Sequence, residues 1–150
     1  MNKIIVGLLI AAALILAACT GEQSQASDEV GATAQASGAA PGSPITPDPG
    51  GKVITVKMET EADGTNSFQP AQVEAKRGDV IRYVLVAGVH NADFVADSNP
   101  GKSGLPPATG LLQLPGQAYD VKITLPPGVY YFHCDPHSLL GMKGQLTVTQ

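Results

Sequence analysis

Between Val129 and Thr149 the chain reads VYYFHCDPHSLLGMKGQLTVT, two β-prone runs separated by a loop that carries a cysteine, a histidine and a methionine. Aromatic and β-branched residues dominate 129–133 and 145–149, which predicts a strand on either side of the loop. Pairing those strands closes Cys134, His137 and Met142, spaced Cys-x2-His-x4-Met, into one short segment. In a loop, Cys and His three positions apart can converge on one ion. Met142 can return across that ion just before the chain becomes a strand. His90, about forty residues earlier and just past the run 80–87, supplies a fourth candidate from a neighbouring strand end.

The rest of the last hundred residues also reads as β. KVITVKM (52–58) is a first strand, followed by a polar turn through Asp63–Ser67, Phe68-Gln-Pro, and AQVEAK (71–76). Gly78-Asp79 makes a tight turn into VIRYVLVA (80–87). Residues 96–118, rich in Gly, Pro, Asn and Ser, are loop with a short helical turn expected near Leu111–Leu114. YDVKITL (119–125) alternates with period two and puts Tyr119, Val121, Ile123 and Leu125 on one face. In the last strand Leu146 and Val148 face inward. About seven short strands and no long helical period predict an all-β, Greek-key two-sheet sandwich or barrel over 52–150. With three Phe, four Tyr and no Trp in the whole chain, its core is mostly aliphatic.

The first third is different. Residues 4–18 are an unbroken apolar run behind Lys3, short for a membrane span and suited to a signal-peptide core. It ends in Leu-Ala-Ala-Cys, which resembles a bacterial lipoprotein signal. That resemblance implies cleavage after residue 18 and a lipid on Cys19, holding the chain to a membrane surface. A retained signal anchor, or simple cleavage at the Ala-rich end, is the alternative. Residues 19–51 are Gly-, Ala-, Ser-, Gln- and Pro-rich and read as a flexible tether. They hold Glu22, Asp28, Glu29 and Asp48 and no base, whereas residues 52–150 have nine acids against eight bases. The net charge of −4 therefore belongs to the tether, and a near-neutral domain argues against nucleic acid as a partner. A lipidated Cys19 also leaves Cys134 without a disulfide partner in an oxidising compartment, where a bound metal protects a thiol.

Ligand type selects the metal. A thiolate and two imidazoles with a weak thioether suit a mononuclear type 1 copper site, one ion per chain. Zinc accepts Cys and His but has no use for Met. Haem attachment lacks CxxCH, and an iron–sulfur cluster needs more thiolates. Singly, Cys134 reads as a small core residue, His137 as a surface histidine and Met142 as core filler; the spacing is what joins them. His133 alternates with Cys134 along its strand and is expected to point away from the metal. Four protein ligands leave no position for substrate, so the chemistry expected is Cu+/Cu2+ electron exchange and the chain is not expected to be an enzyme.

Phe68-x-Pro70, Gly78-Asp79, His90-Asn91-x2-Phe94 and YYFHCDPHSLLGMKGQLTV together resemble the plastocyanin branch of the cupredoxins, over roughly 52–150. The resemblance implies that His90 and His137 bind copper through ring nitrogens, Cys134 as thiolate and Met142 as weak axial ligand. It implies that Asn91 supports the copper loops by hydrogen bonding. It also implies that electrons pass at the exposed edge of His137, with Pro136, Leu139 and Leu140 as an apolar docking rim. Relatives from plants often carry tyrosine before the copper cysteine, beside an acidic patch. Here His133 stands there and the acids Asp93 and Asp97 are sparse, so docking rests on apolar contact. The expected role is a monomeric, lipid-anchored carrier on an extracytoplasmic membrane surface. It would take electrons from a cytochrome or bc-type complex and give them to an oxidase or photosystem. The competing reading, a periplasmic copper-binding or delivery protein, calls for an exposed, Met-rich site.

Overall fold

Short β-branched and aromatic runs become seven strands in the computed structural model, which describes residues 42–150. They are β1 (Val53–Thr60), β2 (Asn66–Gln69), β3 (Gln72–Lys76), β4 (Val80–Leu85), β5 (Ala118–Lys122), β6 (Gly128–His133) and β7 (Lys143–Thr149). One sheet has the order β2-β1-β4-β5 and the other β3-β7-β6. The β1–β4 and β3–β7 pairs are parallel and the others antiparallel. This is a cupredoxin-like two-sheet sandwich, consistent with Greek-key connectivity. The signal segment, Cys19 and the tether as far as residue 41 lie outside the described residues. Among the described residues no helix is long and apolar enough to cross a membrane.

Alternation along the strands supplies the core. Val56 and Met58 of β1, Ile81, Tyr83 and Leu85 of β4, Tyr130 and Phe132 of β6 and Leu146 and Val148 of β7 are all buried. Phe132 is the aromatic hub, with ring centroids 5.0 Å from Phe68, 5.7 Å from Tyr83 and 5.3 Å from Phe94. Its cross-strand partner is Gly144. A Cβ there would overlap the Phe132 ring, so the ring occupies the space that a side chain at 144 would need.

Polar anchors tie the elements together. At the Gly78-Asp79 turn, the buried Asp79 carboxylate accepts the backbone N–H groups of Lys52 (2.8 Å) and Lys76 (2.9 Å). Contact with the domain begins before Gly51: Ile45 N–H donates to Asp120 Oδ2 (2.8 Å) and Asp48 N–H to the Gly78 carbonyl (2.9 Å). The Pro- and Gly-rich composition of 42–51 gives no hint of this, because the partners are a carboxylate and a carbonyl far along the chain. Arg82 binds both oxygens of Asp120, at 2.8 and 2.7 Å. The Arg82 guanidinium holds the Asp120 carboxyl below the usual carboxylate range, against an opposing push from burial. A carboxyl with a lowered folded-state pKa contributes stability that is present above its unfolded pKa of about 3.9 and is lost as pH falls through the folded value. Asp120→Asn is therefore expected to flatten the fall in stability below about pH 4. Urea midpoints measured from neutral pH into that range check it.

The helical turn expected at Leu111–Leu114 is absent. Leu112 is instead buried in a two-way backbone bridge with His90, and the 3-10 turn of the loop falls at Ala96–Ser98. The leucines have helical spacing, but pairing with the strand end at His90 overrides it.

Candidate metal centre

The loop after β6 is a 3-10 turn over Asp135–Leu140. Pro136 sits at its start, and Gly141 ends it in the left-handed region at φ 95°. His137 N–H donates to the Cys134 carbonyl (3.0 Å), and Met142 N–H to that of His137 (3.1 Å). Cys134 N–H donates to the Met142 carbonyl (3.2 Å). These bonds tie the three loop residues into one ring of backbone. His90 is brought to the same place by its bridge, with His90 N–H to Leu112 O at 3.2 Å and Leu112 N–H to His90 O at 2.8 Å.

Three donor atoms converge there. His90 Nδ1 lies 3.1 Å from His137 Nδ1, and Cys134 Sγ lies 3.6 Å and 3.4 Å from these two nitrogens. A point in their plane is about 2 Å from each, the length of a metal–imidazole bond (~2.0–2.1 Å) and a few tenths of an ångström short of a metal–thiolate bond (~2.3 Å). The donor set can thus hold a metal ion. Cys134 and His90 are buried, as is the Met142 side chain, while the imidazole of His137 is half-buried.

Burial pushes the Cys134 thiol up, with the backbone N–H groups of Asn91 and His137 opposing the shift. Burial also lowers His90, and the neighbouring His137 lowers it further. In the metal-free chain at neutral pH the thiol is therefore protonated and His90 neutral, so metal binding releases the thiol proton.

The far nitrogen of His90 is also fixed. Thr60 Oγ1 donates its only proton to Asn66 Oδ1 (2.7 Å), and Asn66 Nδ2 donates to the Gly64 carbonyl (3.2 Å). Thr60 can then only accept, and His90 Nε2 at 3.1 Å is the donor. That places the proton on Nε2 and leaves Nδ1 as a lone pair facing the site. Gly88 leaves room for this contact, since a Cβ there would meet Thr60 Oγ1 and His90 Nε2. Nothing in the sequence signals Thr60, which reaches the site only through the parallel β1–β4 pairing. Thr60→Val is expected to weaken copper binding by about 10- to 100-fold. Competition with a chelator of known affinity measures it.

Asn91 and His133 also have defined places. Asn91 grips Asp135, with Nδ2 donating to Asp135 Oδ2 (2.6 Å) and Oδ1 accepting from Asp135 N–H (2.8 Å). His133 faces away from the triad: its Nε2 lies 3.0 Å from Asp135 Oδ1 and its Nδ1 lies 3.2 Å from the Tyr131 hydroxyl.

Residues 54–149 match the model of copper binding proteins of the plastocyanin/azurin family. The chain belongs to that family. Among its relatives, the plastocyanin of Vicia faba is 39% identical over 94 residues, covering 58% of this chain and 92% of that protein. Oxidised plastocyanin from the fern Dryopteris crassirhizoma superposes with a TM-score of 0.51 at 28% identity, over 64% of this chain and all (100%) of that one. A pseudoazurin from Sinorhizobium gives a TM-score of 0.51 at 27% identity, over 66% and 75% of the two chains. This plastocyanin/azurin family member is a cupredoxin-type electron carrier, with the His/Cys/His(Met) site typical of a mononuclear type 1 copper centre, and its role is not enzymatic.

Proposed function

We propose that the chain holds one copper ion through His90 Nδ1, His137 Nδ1 and the Cys134 thiolate. Met142 is the weak axial ligand and Asn91 an outer support. The observation that carries this reading is the convergence of the three donor atoms at mutual distances of 3.1–3.6 Å. Copper, when bound, alternates between Cu+ and Cu2+ and so stores and releases one electron. The protein's part is to keep the ligands still. The backbone ring of the loop, the His90–Leu112 bridge and the Asn91–Asp135 clasp are each independent of the metal, so the ligand positions need not change with its charge. Burial of Cys134 and Met142 excludes water. The half-buried edge of His137 is the point of electron entry and exit. The test is metal content: the chain expressed without lipid and exposed to copper retains one ion per molecule and turns blue. A colourless protein that prefers zinc overturns the assignment.

Docking follows from the surface around that edge. Leu139 and Leu140 are 99% and 70% exposed. Val86, Val89, Leu111 and Leu114, on the segments that flank His90 and Leu112, are exposed as well. No Asp, Glu, Lys or Arg occurs in 86–90, 110–118 or 136–142. Such a charge-free apolar rim suits brief contact with other redox proteins, with little dependence on salt. Leu139→Glu is expected to slow bimolecular electron exchange with such a partner by about tenfold, equivalent to about 1.4 kcal/mol. The reduction potential should scarcely move. Stopped-flow kinetics beside voltammetry separates the two effects.

The apolar segment before Cys19 and the polar stretch after it support a wider setting. In it the chain is a monomer, lipidated at Cys19 and tethered to an extracytoplasmic membrane surface. It carries electrons from a cytochrome or bc-type complex to an oxidase or photosystem.

A further inference from the structure

A second group of metal-ligating side chains lies beside the copper loop, and its donors Asp93 and His133 have no part in the electron-carrier reading. Asp93, His133 and Asp135 each offer a donor atom, all within 4.8 Å of one another. The backbones of all three are fixed, and their donor atoms already face one another. Asp93 and His133 exchange both backbone hydrogen bonds, Asp93 N–H to His133 O at 2.8 Å and His133 N–H to Asp93 O at 3.0 Å. The Asn91 side chain holds Asp135 by its N–H and by Oδ2, leaving Oδ1 on His133. The Tyr131 hydroxyl sits 3.2 Å from His133 Nδ1. A carboxylate can only accept, so in the metal-free chain Nε2 donates to Asp135 Oδ1 and the Tyr131 hydroxyl donates to Nδ1. A cation on Nε2 would shift that proton to Nδ1, where the Tyr131 oxygen can accept it.

Charge points the same way. Asp93 is pushed above the usual carboxylate range by burial and by neighbouring Asp135, with His133 opposing. Among the described residues neither carboxylate has an ion pair with Lys or Arg. Two carboxylates and one imidazole with their donor atoms within 4.8 Å of one another form a mixed N/O set that suits a borderline divalent ion better than Ca2+ or Mg2+. We propose that Asp93, His133 and Asp135 form a second metal site, for a divalent cation of the zinc type, at the side of the copper loop. Its partly exposed position leaves further coordination to water. Bound there, the cation places positive charge next to Cys134 and so favours the reduced copper state.

The test is equilibrium dialysis of Zn2+ alone against the metal-free full chain carrying Cys19→Ser, with folding checked by circular dichroism. The expected stoichiometry is two Zn2+ for this chain, one after Cys134→Ala, and one after His133→Phe, which keeps a ring but removes the lone pair. Asp93→Asn should weaken the second ion at least about tenfold. Retention of two ions by both the His133→Phe and the Asp93→Asn chains overturns the proposal, as does a single ion lost on Cys134→Ala. A second readout rests on the copper reading: Zn2+ added to the copper-loaded chain should raise its reduction potential, and His133→Phe should abolish the rise. Two zinc ions without a blue copper form would fail the copper reading and leave the second site standing.

Discussion

Cys134→Ala is expected to abolish the copper-dependent visible band entirely while leaving the fold in place. The thiol is the only sulfur anion the site can provide, and two imidazoles with a thioether lack the charge donation that gives the band. Cys134 is also small and buried, so the cavity left by removing its sulfur costs about 1–2 kcal/mol at most. Stability supplies an independent readout. A ligand that binds only the native chain raises its melting temperature, by about 4 kcal/mol of stabilisation when present at a thousand times its dissociation constant. Copper should therefore raise the melting temperature of the natural chain by much more than that of Cys134→Ala. Equal copper-induced shifts in the two would place the metal elsewhere.

Gly144→Ala should have the largest effect on the fold. The new Cβ would lie less than 3.0 Å from three atoms of the Phe132 ring, with no flexible side-chain end to yield. Either the ring leaves its place between Phe68, Tyr83 and Phe94, or β6 and β7 separate. Overpacking of this kind costs about 3 kcal/mol, a large share of the roughly 5–15 kcal/mol that holds a domain together. The melting temperature should fall by roughly 15 °C. Copper affinity should fall with it, because Cys134 is two residues beyond Phe132. Phe132→Leu in the same chain makes room for the methyl group and should recover part of the loss. A Gly144→Ala chain as stable as the parent would show that the ring is not confined by this glycine.

Much of this was legible from residue order. β-branched and aromatic runs marked β1, β4 and β6, and alternation marked β5 and the inward residues of β7. Cys134, His137 and Met142 are close in sequence, so their spacing alone brought them to one loop, and the structure joins His90 to it. Distant pairings were harder to read. Thr60 and Asn66 fix the proton of His90 from 30 and 24 residues away, through strand register that no local pattern encodes. Asp93 read as one of a few scattered acids, yet the backbone bridge to His133 places it in a cluster. The leucines at 111–114 suggested a helical turn because spacing cannot register the pull of a β-bridge.

The most direct test of the central claim is a reductive titration of residues 20–150 loaded with one copper ion. The visible band should bleach with one electron equivalent, return on reoxidation, and leave the copper content unchanged through repeated cycles. A chain that shows no thiolate-to-copper band, or that sheds its copper when reduced, would contradict an electron carrier.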